Sequence, residues 1–417
     1  MTNKFSSKEI HFLKNDSDDF DITPPEKYFS DLLLGKTIQI KTFEDRILKD
    51  ETPKKKFLCA VIQISSKVNS NKVLKSIQEK SNTIFEETFN SIFNNKKGDN
   101  KRGIWESLGN TSFIIAFWDY ENDEKASQLI ISLKEKISIA LKTNILIGIA
   151  KFPYHDFSKS QVLENALKAI DHAAFFGPDT LIHFDATSIN IYGDRLYQLN
   201  KCELALKEYQ KGLEIKPDSI NLVNSLGVCY GIMGELEKAK FEFKKAIKIS
   251  PNELMVIYNI GLLHQIEEDI DKAIVYLRKA HGIDSTVFEV ELLLGSLLIK
   301  KDRLELAMPH LETAGRINGE SGLAFRMKGE IYLRNNLHEK AGLEFNKAIK
   351  INPADAISLS GYARSLELQN KNLNIARSLA ENSIKLEPGN KLFQKRLGII
   401  QGKIEASDIL EENVKTA

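Results

Sequence analysis

Two ladders of small residues run through the second half of the chain at a single spacing. Glycine stands at Gly193, Gly227, Gly261, Gly295 and Gly329, and alanine at Ala205, Ala239, Ala273, Ala307 and Ala341, each 34 residues after the one before. Two independent series with one period and a constant offset point to a stack of repeated supersecondary units rather than one closed core. A unit of this size cannot bury its own apolar face, so neighbours must share one.

The other positions of the period agree. In Val223 to Pro251, VNSLGVCYGIMGELEKAKFEFKKAIKISP, the residues Leu226-Gly227, Tyr230, Ala239, Phe243, Ala246 and Pro251 fall on one pattern of Leu-Gly, Tyr, Ala, Phe, Ala and Pro. By these residues the segment 186 to 389 resembles six tetratricopeptide repeats, which implies an all-α, right-handed superhelix of paired helices. Small residues on the two helices of a pair let their backbones cross closely, and Tyr230, Phe243, Leu277 and Phe345 fill the space around the crossing. Pro217, Pro251, Pro353 and Pro388 follow the second helices, where a residue without an N–H ends the helix. Ser285 and Gly319 replace that proline in the third and fourth units, which predicts looser turns there. The sixth unit has Ala363 for Gly and one extra residue. Residues 390–417 have a helical period and a charged tail, suited to a capping helix over the open end.

Resemblance to the family implies that set positions of each first helix line a concave groove. On this chain the early repeats place Asn190, Asp194, Tyr197, Asn221 and Asn224 there. Met255, Tyr258, Leu262 and Leu292 come from the middle, and Arg326, Glu330 and Arg364 from the end, with Arg334 extending the cationic side. A groove that is polar, then apolar, then cationic fits a protein or peptide segment with an apolar centre and an acidic end. The alternative is a solvated inner surface with no dedicated ligand. Some family members clamp an acidic carboxyl terminus with Lys and Asn on successive repeats. Asn190 and Asp194 stand at the first such positions, so that clamp is not expected here.

Composition sets the class. The 417 residues are 42% hydrophobic and 28% charged, with 58 Lys plus Arg against 57 Asp plus Glu, a net charge of +1. That is a folded chain of several domains without the basic excess of one built to coat nucleic acid or an anionic membrane. Cys59, Cys202 and Cys229 show no metal spacing and read as reduced thiols. No apolar run has the length of a signal peptide or a membrane span, so a cytoplasmic location is expected.

Residues 53–185 alternate between short apolar runs and helical periods, in the order β-α-β-β-α-β-α-β. FLCAVIQIS (57–65) is a buried strand, IWESLGNTSFIIAFWD a hairpin around Gly109-Asn110, and ILIGIAKF (145–152) a further strand. This order, with Gly148-Ile149-Ala150, Pro153 and the helix ENALKAIDHAAFFG, resembles the GGDEF-type nucleotide cyclase domain, an α/β domain with a ferredoxin-like palm. The family's five-residue signature falls on Gly109, Asn110, Thr111, Ser112 and Phe113. Its cyclases hold two divalent cations on carboxylates. The corresponding positions here are Gln63 and Ser65 on the first strand and Thr111 and Ser112 on the hairpin. The inhibitory Arg-x-x-Asp site is replaced as well, by Asn100 and Gly103. The expectation is a degenerate cyclase-like shell with no catalytic residue, metal or cofactor, used for docking or regulation. Nucleotide sensing and active cyclisation of GTP or ATP are the alternatives, the first to be read as thermal stabilisation by nucleotide and the second as metal-dependent turnover.

Other motifs weigh less. Gly35-Lys36-Thr37 lacks the leading glycine of a phosphate loop, since Ser30 stands there. Asp16, Asp18, Asp19 and Asp21 lack the glycine and closing Glu of a calcium loop. His155, His172 and His183 have no metal spacing, and Lys54–Lys56 and Lys96–Arg102 have no aromatic platform for a nucleic acid. Trp105 and Trp118 bracket the hairpin as packing residues. Residues 1–52 are expected to be mostly irregular, with one short helix docked on a later domain. The reading as a whole is an α/β domain followed by an all-α repeat array that acts as a scaffold for another protein. Enlarging a crossing residue, as in Ala273→Phe, should overpack the helix pair and cost ~1–3 kcal/mol, read as a lowered thermal midpoint. An unchanged midpoint would contradict the repeat assignment.

Overall fold

The computed structural model describes residues 28–35, 38–48, 56–64, 71–94, 102–109 and 111–416. The described residues through Ile249 form one compact unit and those from Ser250 onward another. The first two helix pairs therefore cluster with the sheet, and the division falls later than the 185/186 boundary suggested by the repeats alone.

The first unit begins with a 3-10 turn, Phe29–Leu33, and helix α1 (Ile38–Leu48). Residues 1–52 are expected to be mostly irregular with one short helix docked on a later domain, and the described part of them holds both the 3-10 turn and α1. Ile40, Phe43 and Ile47, spaced for one helical face, are buried in the core beside the sheet. The sheet follows from β1 (Phe57–Ile64), α2 (Asn71–Phe93), the hairpin β2 (Gly103–Gly109) and β3 (Ser112–Phe117), α3 (Asp123–Leu141), β4 (Ile145–Phe152), α4 (Val162–Phe175) and β5 (Leu181–His183). Strand order is β2-β3-β1-β4-β5. β1 runs antiparallel to both neighbours and β5 pairs parallel to β4. The first four strands thus form a split β-α-β sheet.

β1 is apolar on both faces because both are covered. Phe57, Cys59 and Val61 pack with α1 and α4, while Leu58, Ala60, Ile62 and Ile64 pack with α2 and α3. On α2, Phe85, Phe89 and Phe93 recur every fourth residue and present one aromatic edge. Phe85 stacks on Phe113 at 4.0 Å between centroids and Phe93 lies 4.6 Å from Phe117. On the opposite face α4 crosses β4 at Gly148, where a Cβ would stand 2.1 Å from the Ile170 backbone nitrogen.

α4 is buried on its other side too. Lys168 is enclosed, its Nζ 2.7 Å from Glu164 Oε1 and 2.6 Å from Glu208 Oε2, over the Tyr192 ring. Asp171 accepts the backbone N–H groups of Phe29 at 2.6 Å and Ser30 at 2.9 Å. Burial pushes its carboxyl up to about 7, against those bonds, which favour the charged form. His172 Nδ1 lies 3.0 Å from the Ser188 hydroxyl. The partners of Lys168 and His172 stand on α5 (Ala186–Gln198) and α6 (Cys202–Ile215), which with α7 (Ile220–Ile232) and α8 (Leu236–Ile249) complete this unit. Asp31 adds a two-bond pair to Arg195 on α5, at 3.0 and 2.6 Å.

The second unit holds four helix pairs: α9 (Leu254–Ile266) with α10 (Ile270–Ile283), α11 (Phe288–Lys300) with α12 (Leu304–Ile317), α13 (Gly322–Arg334) with α14 (His338–Ile351), and α15 (Ala356–Leu368) with α16 (Leu373–Leu386). A long helix, α17 (Lys391–Thr416), packs on the last pair through Phe393, Leu397 and Ile400. Through both units the glycine ladder meets bulky side chains from the partner helix, as at Gly227, where a Cβ would stand 2.5 Å from Phe243. A third ladder appears in the backbone. Asn200, Gly234, Glu268, Asp302, Asn336 and Asn370 all adopt positive φ in the turn inside each pair. Asn372 does so as well, which places the extra residue of the sixth unit in that turn.

The turns at Ser285 and Gly319 are not looser than the one at Pro353. Residues 284–287, 318–321 and 352–355 are equal in length between their helices. In each, the residue before the proline position accepts an N–H two residues on: Asp284 from Thr286, Asn318 from Glu320 and Asn352 from Ala354. That side-chain turn sets the geometry with or without proline. The closest approach in the sheet unit yields a test. Gly148→Ala must push α4 off β4, so it should cost about 3 kcal/mol and lower the thermal midpoint of this unit, whereas an unchanged midpoint would contradict the backbone contact.

Candidate interaction surface

In the first unit the groove positions are largely committed to internal bonds. Asn190 donates to Asp194 Oδ2 at 3.1 Å, and the Tyr209 hydroxyl donates to Asp194 Oδ1 at 2.7 Å. Asn224 is buried and Asn221 half-buried. Tyr197 is half-buried, and burial pushes its phenol up to about 12. The Asn190, Asp194 and Tyr209 bonds belong to the crossing of α5 with α6.

The apolar positions differ from expectation more sharply. Tyr258 and Leu292 are fully buried and Leu262 nearly so, while Met255 is half-buried. Asn224, Tyr258 and Leu292 thus offer no open surface. The physical reason lies in the helices that carry them: α9 and α11 are apolar around most of their circumference, so a second face is buried as well as the one that meets the partner helix.

At the expected cationic end each arginine has a partner within the chain. Arg326 on α13 reaches Asp355 at 3.4 Å, Arg334 reaches Asp302 at 3.5 Å, and Arg364 on α15 pairs with Glu367. Arg396 on α17 donates to the Ser360 hydroxyl at 2.9 Å. Glu330 lies among them, and burial raises its carboxyl above the usual range against the pull of Arg326 and Arg334. Burial lowers the Arg396 guanidinium, and the like charge of Arg364 lowers it further. Arg326, Arg334 and Arg396 thus act on the one Glu330 carboxyl, and Arg364 acts on Arg396. Arg396 was missed in the sequence because it lies outside the repeats, although Leu397-Gly398 beside it repeats the Leu-Gly pair of a first helix.

At the sheet, Gln63, Thr111 and Ser112 come together where the hairpin meets β1. Gln63 Nε2 donates to the Thr111 hydroxyl at 3.1 Å, Ser112 donates to Gln63 Oε1, and Thr111 donates to the Ile64 carbonyl at 2.7 Å. Gly109 and Thr111 both have positive φ at the turn, and Phe113 is buried against Phe85. Asn110, Ser65 and Asn100 lie outside the described residues, as do the acidic run at 16–21, Lys36-Thr37, Lys54-Lys55 and Lys96–Lys101. The three polar side chains are neutral and bonded to each other, so they do not fit a pair of divalent cations.

The remaining motifs resolve as packing. His172 is bonded at α5, His183 lies 3.2 Å from the Ser127 hydroxyl, and Trp118 is buried in the core. All three cysteines are free thiols. Among the described residues no helix is long and apolar enough to cross a membrane.

A family model for the tetratricopeptide repeat matches residues 220–253, 256–286 and 327–355, and a second model for the same repeat matches 193–234. The C-terminal part of the chain thus carries tetratricopeptide repeats, in a mostly helical array that follows a small mixed sheet. No curated protein matches. Among solved structures, YrrB, described as a TPR protein with an unusual peptide-binding site, is 18% identical over 45% of this chain and 96% of its own, with a TM-score of 0.41. PilF of Pseudomonas aeruginosa is 19% identical over 50% and 95%, with a TM-score of 0.47. PilW, a type IV pilus biogenesis factor, is 16% identical over 51% and 98%, with a TM-score of 0.44.

Proposed function

We propose that this protein is a non-enzymatic adaptor whose later repeats hold an acidic segment of another protein. Residues 53–185 serve as a cyclase-like shell that positions the repeats and has lost the reaction. The reading of the repeats is carried by one observation: Arg326 on α13 and Arg396 on α17 both act on the half-buried Glu330 carboxyl, and the like charge of Arg364 on α15 disfavours the charge on Arg396. A carboxylate placed among them would relieve that repulsion and take bidentate bonds from a guanidinium. Asp355 and Glu367 pair with Arg326 and Arg364, while at Arg396 Glu330 supplies only part of the compensation, since burial works against its ionisation. The reading of the sheet as a shell is supported by its split β-α-β order and by Gln63, Thr111 and Ser112, which bond to each other where the family places metal-binding acids.

The test uses the full chain and labelled peptides with an apolar centre and a run of Glu at one end. Binding should weaken about tenfold or more in Arg326→Glu/Arg364→Glu, when the Glu run becomes Lys, and as salt is raised. Equal binding of Glu-ended and Lys-ended peptides, or no binding of either, would contradict the assignment.

A further inference from the structure

One cluster in the second unit has no part in the surface described above. Glu291 on α11 is buried, its side chain only 1% exposed, and each carboxylate oxygen is taken by a different imidazole. Oε1 lies 2.5 Å from His281 Nδ1 on α10, and Oε2 lies 2.7 Å from His310 Nδ1 on α12. The two imidazole rings stand 4.9 Å apart at 85° to each other. One donor atom from each of the three residues falls within 4.8 Å of the others.

We infer that His281, Glu291 and His310 form a binding site for a divalent transition-metal ion of the zinc type, joining the third and fourth repeats. Two imidazoles and one carboxylate are the donors that such ions take in sites with an open fourth position. Softer thiolate sites and all-oxygen calcium or magnesium sites are excluded by the donor set. The carboxylate is fixed in the interior, while the His281 side chain is 39% exposed and that of His310 18%, so an ion can enter from the histidine side.

The geometry asks for a small adjustment. Zinc bonds of about 2.0–2.2 Å at tetrahedral angles hold donor atoms about 3.4 Å apart, so the widest donor separation, up to 4.8 Å, closes toward that value while the bonds at 2.5 and 2.7 Å open by under one ångström. Rotation of the half-exposed His281 ring supplies that opening. On binding, each neutral imidazole exchanges its Nδ1 proton for one on Nε2 through solvent, so that the Nδ1 lone pair turns to the metal. A buried carboxylate then exchanges two hydrogen-bond donors for one cation, and three helices from two adjacent repeats are tied to a single point.

The experiment takes the full chain without a histidine tag, stripped with chelator, at neutral pH. Added Zn2+ in excess should raise the thermal midpoint by about 5 °C, and calorimetry should give one site per chain. Co2+ should give the visible absorption of a nitrogen-coordinated ion. His281→Asn and His310→Asn keep an N–H donor for Glu291 and should fold, yet each should lose most of the shift and the Co2+ absorption. Absence of both signals in the unaltered protein would overturn the proposal. So would signals that persist in both variants.

Discussion

The buried ammonium of Lys168 is the contact on which the first unit depends. A charge removed from water is strongly penalised unless its partners are fixed. Here Glu164, one turn away on the same helix, and Glu208 on α6 hold it at 2.7 and 2.6 Å, with the Tyr192 ring against it. The pairing leaves no freedom for α4 to shift against α6. Asp171 and His172, three and four residues along the same face, make further buried bonds to the 3-10 turn at 29–33 and to α5. α4 therefore packs on the sheet through Leu163, Ala166, Leu167 and Ile170 and on the first repeat through its polar side. The sheet and the first repeats share a helix, so these two parts of the first unit are built around one element.

Beyond α4 the same economy repeats with simpler parts. A glycine on one helix and an alanine on the next allow close crossing, a bulky side chain closes the gap, and a left-handed residue turns the chain. Glu268 accepts that conformation without the advantage of Gly or Asn, which shows how strongly the pair on either side fixes the turn.

Much of this was legible in the residues. The glycine and alanine ladders give the pairs, and the period-two apolar runs give the strands, because both signals are local. The left-handed ladder was also in the sequence, as Asn200, Gly234, Asp302, Asn336 and Asn370, but Glu268 among them hides the rule. What could not be read were the contacts between distant segments. Lys168 and Glu208 are 40 residues apart with no pattern linking them, and Arg396 joins Arg364 only because α17 packs as a further first helix would. Burial of Tyr258 and Leu292 was likewise hidden, since a groove position and a core position on an apolar helix look alike in sequence.

Through Lys168 the sheet and the first repeats should behave as one body. Native-state hydrogen exchange on the full chain, beside Lys168→Met, tests it directly. Removing the cation leaves two carboxylates without it, a loss of about 3–5 kcal/mol. The account predicts that amides of α4, α5 and α6 exchange through a common opening in the unaltered protein and lose protection together in the variant. Loss of protection confined to α4, with α5 and α6 unchanged, would contradict it.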